Sequence, residues 1–406
     1  MATKLGGRFD KLSIAAGVSN IGDGVVGVAF PLLVASITRD PLLVAAATMV
    51  GRLPWLLFAL LSGALVDRMD RKRVMVVTNV LRAIGIGLMA WGVAADRVDL
   101  IAIYVIAFAL GVAETFFDTS AEALVPRLVE VEELPPANGR LQALEWVGGA
   151  FAGPPLGAFL FAVFAALPFF VDAASFAIAA FFIVLIPGSY QSERVIETSV
   201  REDIVGGLKW LWNQRVVRTL ALMAGVTNLF TFGIIAVFVL YAQDILGVSD
   251  FGYGVLIATL GVGGLLGAVI GPRLVLSLGS GSTLRLTLVA QIFLTALFGF
   301  TSNVYVVAGL LFLYGFLITA WNIVAVSLRQ GLTPDEIRGR VAGASRLLAW
   351  GAQPLGALLG GLIASAFGLR APFFVASLAF VIATALVWSI ISNEAIEDAR
   401  SQAPVV

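Results

Sequence analysis

Among the charged residues inside long apolar runs of the chain, Asp23, Arg52 and Arg82 stand deep in the first three. An unpartnered charge in such a run costs ~2.5–3.5 kcal/mol if the run crosses a membrane, so each needs a reason to be there. Asp23 stands about eleven residues into its run, ~17 Å from the near end at 1.5 Å per residue. Arg52 and Arg82 reach comparable depth in the next two runs. An ion pair between Asp23 and one arginine would offset much of the cost, either as a fixed bridge or as a proton site. Glu114, Asp118 and Glu122 add a ladder at i, i+4 and i+8, which is one face of a helix. Three adjacent carboxylates repel, so at least one is expected to hold a proton at neutral pH. Glu114 is the deepest and the best proton carrier of the three. Asp118 is placed to pair with Arg71, and Glu122 is either solvated or paired with Arg127 or Arg140.

Other chemistries lack their residues. There is no Cys and no His, which removes disulfides, thiolate nucleophiles and the usual zinc and haem ligands. The four lysines, Lys4, Lys11, Lys72 and Lys209, are never followed by Ser or Thr, so no phosphate-cradling loop of an ATP motor is present. Net charge is zero, which gives nucleic acid no electrostatic footing. No enzyme activity, cofactor or bound metal is expected.

The elements that position these charges follow from composition. The chain has 406 residues, 59% hydrophobic and 13% charged, against roughly 25% charged in soluble domains. Apolar runs occur near 12–37, 43–66, 74–95, 98–121, 143–163 and 167–187, and again near 217–240, 251–274, 284–301, 303–328, 341–366 and 371–391. Each is long enough to span a bilayer as a helix. The first run resembles a signal peptide but is too long and carries Asn20 and Asp23 mid-run, so it is expected to be retained. With the N-terminus inside, inner segments hold 21 Lys/Arg and outer loops 3, which places both termini in the cytoplasm. The 22-to-4 excess of Arg over Lys suggests a GC-rich bacterial genome and hence a cell membrane location.

A long segment divides the twelve runs six and six. The expected organisation is a bundle over 1–190, a linker over 191–216 with an amphipathic helix at 201–218 anchored by Trp210 and Trp212, and a second bundle over 217–406. The halves echo one another. Gly139-Arg140 precedes Pro154 as Gly339-Arg340 precedes Pro354, both at an offset of 200 residues. Gly63-Ala-Leu-Val matches Gly267-Ala-Val-Ile at an offset of 204. Repeats of this kind mark transporters built from duplicated units.

The loop Gly63-Ala-Leu-Val-Asp67-Arg68-Met-Asp70-Arg71-Lys72-Arg73 resembles the signature loop of the major facilitator superfamily, with Asp70 where a second glycine is usual. That variant is similar to the branch of enterobactin exporters, transmembrane secretion effectors and drug:proton antiporters. The resemblance implies an all-α membrane protein of twelve transmembrane helices in two pseudo-symmetric six-helix bundles, the major facilitator fold. It implies a cytoplasmic latch at Gly63, Asp67, Arg68, Arg71 and Lys72. Gly149-x-x-x-Gly153-Pro154-x-x-Gly157 resembles the family's antiporter motif, with Ala158 replacing the closing glycine. A proline inside a span permits a bend, and Pro154 is expected to matter more than Pro354. By the family's layout Asn20, Asn228, Phe232, Trp321 and Asn322 line the substrate cavity; Trp321 and Asn322 together offer a stacking face and an amide.

The expected function is a secondary active transporter, a proton-coupled exporter of a moderately hydrophobic, drug- or siderophore-like small molecule. It would work by alternating access as a monomer in the lipid bilayer, with the small molecule and protons as its partners. The alternatives are an importer or symporter of a metabolite and a non-transporting receptor or scaffold. Glu145 and Asp172 are either cavity or helix-packing groups and are assigned to neither.

Overall fold

The structure is a computed structural model that describes residues 6–66, 68–130, 133–191, 200–334 and 337–401. Among these residues all regular structure is helical. That follows from the sequence: in lipid every backbone N–H and C=O must be satisfied within its own segment, and an open strand edge would leave a row of them bare.

The first unit comprises residues 1–39, 50–195 and 242–258, and the second 40–49, 196–241 and 259–406. The apolar helices are α1 (Gly6–Ile37), α2 (Pro41–Val66), α3 (Arg71–Ala94), α4 (Leu100–Leu124), α5 (Leu134–Glu145) continued by α6 (Gly153–Val163), and α7 (Leu167–Val184). After a shorter α8 (Val200–Asn213) come α9 (Arg215–Leu240), α10 (Asp250–Leu278), α11 (Ser280–Phe300) and α12 (Val304–Leu332). The last are α13 (Arg338–Trp350) continued by α14 (Ala352–Phe367), α15 (Ala371–Val387) and a short α16 (Asn393–Ser401). Eleven of these stretches are long and apolar enough to cross a membrane, and α15 is a shorter twelfth.

Local chemistry sets the ends. Asp70, Asp99 and Asn303 cap α3, α4 and α12 by accepting from backbone N–H groups two or three residues on. Proline opens α7 and α15, where its missing N–H is not needed. Gly279, at φ +82°, makes the turn between α10 and α11 that a side chain would strain.

Several boundaries differ from the sequence expectation, the fifth span beginning at Leu134 rather than near 143. The first helix starts at Gly6 rather than near 12. The amphipathic helix ends at Asn213 rather than 218, because Gln214 breaks it in extended conformation and Arg215 starts α9. Its two tryptophans also part company. Trp210 packs against an apolar cluster of the second unit, whereas Trp212 stays exposed. Leu211 is fully buried in that cluster, and Gly207 sits so close to the Arg340 carbonyl that a Cβ would lie 2.6 Å from it. The side chains of Glu202, Asp203 and Ile204 lie outside the description.

Large apolar side chains remain exposed along the helices, among them Leu81, Leu88, Ile101, Val105, Phe293 and Leu386. A soluble protein rarely carries that much apolar surface; a bilayer covers it. This is a multi-pass membrane protein.

Candidate functional site

The intramembrane charges of the first unit converge. Arg82 on α3 donates through Nη2 to Asp23 Oδ1 on α1 at 2.8 Å, and Ser19 donates to the other carboxylate oxygen at 3.3 Å. The Arg82 side chain is only 7% exposed, with its guanidinium 4.0 Å from the Phe176 ring centroid and 5.8 Å from that of Phe117. Arg52 on α2 meets Glu114 on α4 at 3.4 Å. The expected partner for Asp23 is therefore Arg82, while Arg52 goes to Glu114, which the sequence had put forward as a proton carrier without naming its partner.

Asp118 lies in the electrostatic field of Glu114, Arg82, Asp23 and Glu122. Arg71 Nη1 donates to the Tyr190 carbonyl at 3.1 Å. Arg140, offered as a partner for Glu122, forms its ion pair with Asp10 at 2.7 Å.

Sequence reasoning missed a member of this group. Asp172 on α7 is 1% exposed, accepts from Ser175 Oγ at 3.0 Å, and feels both Asp23 and Arg82. Gly22 makes room for it, since any Cβ there would strike the Asp172 and Ser175 side chains. Asp-x-x-Ser within an apolar run was the available signal. One turn before Arg82, Asn79 is fully buried and its carboxamide has no hydrogen-bond partner among the described residues. Such a group costs roughly 1–3 kcal/mol, which a static fold has no reason to retain. Four carboxylates, Asp23, Glu114, Asp118 and Asp172, thus share one region with two guanidinium groups, Arg52 and Arg82.

In the signature loop, Asp67 lies outside the described residues. Among the described residues nothing lies within 4 Å of where a Gly63 Cβ would stand. The rest of the loop grips the chain that leaves α7. Lys72 Nζ donates to the Ile186 carbonyl at 2.6 Å, and the Arg68 carbonyl accepts from Gln191 at 3.4 Å. Asp70 accepts from the N–H groups of Lys72 and Arg73 and from Ser189 Oγ at 2.6 Å and Tyr190 N at 3.4 Å. Partial burial pushes the Asp70 carboxyl up, but the Ser189 hydroxyl and the N–H groups of Arg73, Tyr190 and Lys72 outweigh it and hold it below the ordinary value of 3.8. A lowered folded value means that this stabilisation is full above the ordinary carboxylate range and is lost as pH falls through the depressed value. Hydrogen-exchange protection of the Tyr190 amide is therefore expected to drop below about pH 4 in the wild type. In Asp70→Asn it should be weaker by about 1 kcal/mol at neutral pH and should show no such acid step. Identical profiles for the two proteins would remove the assignment.

The antiporter-like motif sits at an irregularity. A π-helical stretch, Trp146–Ala152, separates α5 from α6. Pro154 lies inside one continuous helical stretch, Pro136–Val163, directly after the π-helical turns. Pro354 lies likewise inside the stretch Arg340–Phe367, three residues after Gly351. Gly153 and Gly157 let α6 touch the backbone of α1: a Cβ at Gly153 would lie 2.6 Å from the Gly24 Cα, and one at Gly157 would overlap the Val25 carbonyl. Gly149 is different, with Asn20 O at an ordinary 3.8 Å. The second unit has an equally close seam, where Gly356 and Gly360 of α14 press on the backbone of Leu229 and Gly233 in α9.

Of the cavity candidates, Asn228, Trp321 and Asn322 line one cleft of the second unit, between α9, α11 and α12. Phe232 is not among its lining residues, and Asn20 belongs to the first unit, under Gly148 of the π-helical stretch. Thr231, Gln291 and Tyr314, which the sequence reading passed over, complete the polar lining.

Known proteins resemble this chain in sequence and in fold. Residues 6–404 match the family described as transmembrane secretion effector. The multidrug efflux pump Tap of Mycolicibacterium fortuitum is 30% identical over 379 residues, covering 90% of this chain and 91% of that protein. The enterobactin exporter EntS of Shigella boydii is 25% identical, covering 87% and 85%. Among solved structures, the nucleoside transporter NupG superposes with a TM-score of 0.75 at 12% identity, covering 95% of this chain and 99% of that one. The inward-facing bacterial homologue of the iron transporter ferroportin gives 0.74 at 20% identity, with 97% and 99% covered. The fold is thus that of the major facilitator transporters, and with the family match running nearly end to end the chain belongs to the transmembrane secretion effectors of that superfamily.

Proposed function

We propose that this protein is a proton-coupled exporter of a moderately hydrophobic small molecule. It acts as a monomer in the plasma membrane with both termini in the cytoplasm. The observation that carries the reading is the group of four carboxylates against two arginines on membrane-spanning helices of the first unit. Full ionisation would leave that region with two uncompensated negative charges, so protons complete its charge balance. A static pair would need only Asp23 and Arg82. Export rather than uptake is supported by the relatives, one an efflux pump and the other an exporter. The interrupted helices α5–α6 and α13–α14, each followed by a proline, give both units a place to flex during alternating access. The signature loop, with Asp67, acts as the latch of that cycle.

The test uses purified protein in liposomes with an imposed pH gradient. Asp23→Asn and Glu114→Gln are each expected to abolish uphill efflux while downhill exchange survives, because the neutral amides keep the shape of the site and lose only the proton. Concentrative efflux by both variants would assign coupling elsewhere.

A further inference from the structure

The cleft of the second unit has a property that its position does not require: nothing in its lining is charged. Its polar groups are the carboxamides of Asn228, Asn322 and Gln291 together with threonine hydroxyls and the Tyr314 phenol, and Trp321 supplies an aromatic face. The cavity among them has a volume of about 100 Å³. That is room for one ring-sized group of a small molecule, not for a whole drug-sized one.

The hydrogen-bond accounting separates a fixed part from a free part. Thr231 and Tyr314 share a hydrogen bond of 2.6 Å, and Gln291 Nε2 reaches the same phenol at 3.5 Å. This network holds the phenol in place. The carboxamides of Asn228 and Asn322 have no hydrogen bond to any described residue. Each offers two N–H donors and a carbonyl acceptor. Beside Trp321 they form a surface that can donate and accept at once and can stack a flat group.

An ion entering this cleft would leave water without meeting a counter-charge, which is strongly disfavoured. An uncharged group bearing both donors and acceptors would satisfy both amides. We propose that this cleft binds an uncharged, planar hydrogen-bonding group of the exported molecule, of the carboxamide or phenol type. Charge handling is left to the carboxylates of the first unit. Its purpose rests on the exporter reading, whereas its chemistry rests on the cleft alone.

The experiment measures equilibrium binding to the purified full chain in nanodiscs, with no gradient present. The probes are a diethylaminocoumarin carboxamide, the matching carboxylate and the matching trimethylammonium derivative, followed by fluorescence anisotropy. The carboxamide should bind at least about tenfold more tightly than either ion. Asn228→Leu and Asn322→Leu should each weaken carboxamide binding about tenfold, the loss of one or two hydrogen bonds. Asn228→Asp should raise affinity for the trimethylammonium probe about tenfold by supplying the missing counter-charge. Where a leucine variant does not fold, Asn228→Ser and Asn322→Ser carry the same expectation. Tightest binding of the cation by the wild-type protein, or carboxamide binding indifferent to both asparagines, would overturn the proposal. Asparagine-dependent carboxamide binding in a protein that shows no proton-driven efflux would instead overturn the exporter reading and leave the cleft assignment standing.

Discussion

Arg82→Gln is expected to damage the protein far more than Asp23→Asn, although the two side chains form one ion pair. Removing the arginine leaves Asp23, Asp172, Glu114 and Asp118 facing one another with only Arg52 nearby. The Asp23 side chain is 39% exposed, so breaking the pair should cost less than the roughly 3–5 kcal/mol of a fully buried one. Removing the Asp23 charge leaves Arg82 with three other carboxylates in its field, so the loss should be closer to that of one charge-assisted hydrogen bond, roughly 1.5–3 kcal/mol. Thermal unfolding of the purified variants in detergent measures the difference. The double variant should recover part of the Arg82→Gln loss, since one negative charge goes with the positive one. Equal destabilisation by the two single variants would mean that Asp23 is the only partner that matters.

The second large effect concerns glycine. Gly157→Ala and Gly360→Ala each drive a methyl group into the backbone of a facing helix, at Val25 and at Gly233 respectively. Backbone cannot rotate aside as a side chain can, so each change should destabilise by about 1–3 kcal/mol. Each should also slow efflux at least about tenfold, that being the rate equivalent of 1.4 kcal/mol. Gly149→Ala should stay near wild type, because its nearest neighbour is at van der Waals distance. Initial efflux rate per folded transporter decides the matter. A severe Gly149→Ala defect would show that the motif serves something other than helix contact.

The residues explain what could be read in advance. Helices and their number follow from runs of apolar sequence that no soluble fold could hide, and the resemblance in the loop at Gly63–Arg73 pointed to the right superfamily. The cost of Asp23 in a span demanded a cation, but depth alone did not choose between Arg52 and Arg82. That choice depends on which faces of α1, α3 and α4 meet. Asp172 escaped because its surroundings are built by another helix, where Gly22 leaves a gap that no local pattern announces. The π-helical stretch before Pro154 was equally hidden, since the motif's glycines predict close contact but not the register of the backbone bonds. Asp70 was noticed as a departure from the loop pattern, yet an aspartate directly before Arg-Lys-Arg at a helix start is also a capping signal, and that reading would have found its role.

Two guanidinium groups among four carboxylates have a consequence for the energy source. A proton taken up there carries its charge through the electric field of the membrane, while a cargo group held only by amides and an indole carries none. Under the proton-coupled reading proposed above, exchange of one proton for a wholly neutral cargo would move net positive charge into the cell, so the resting membrane voltage, worth about 2.3 kcal/mol per 100 mV for each charge, would drive the cycle even where the pH is the same on both sides. Such a pump would run on voltage as readily as on acidity, and a cell in alkaline surroundings would keep its export working.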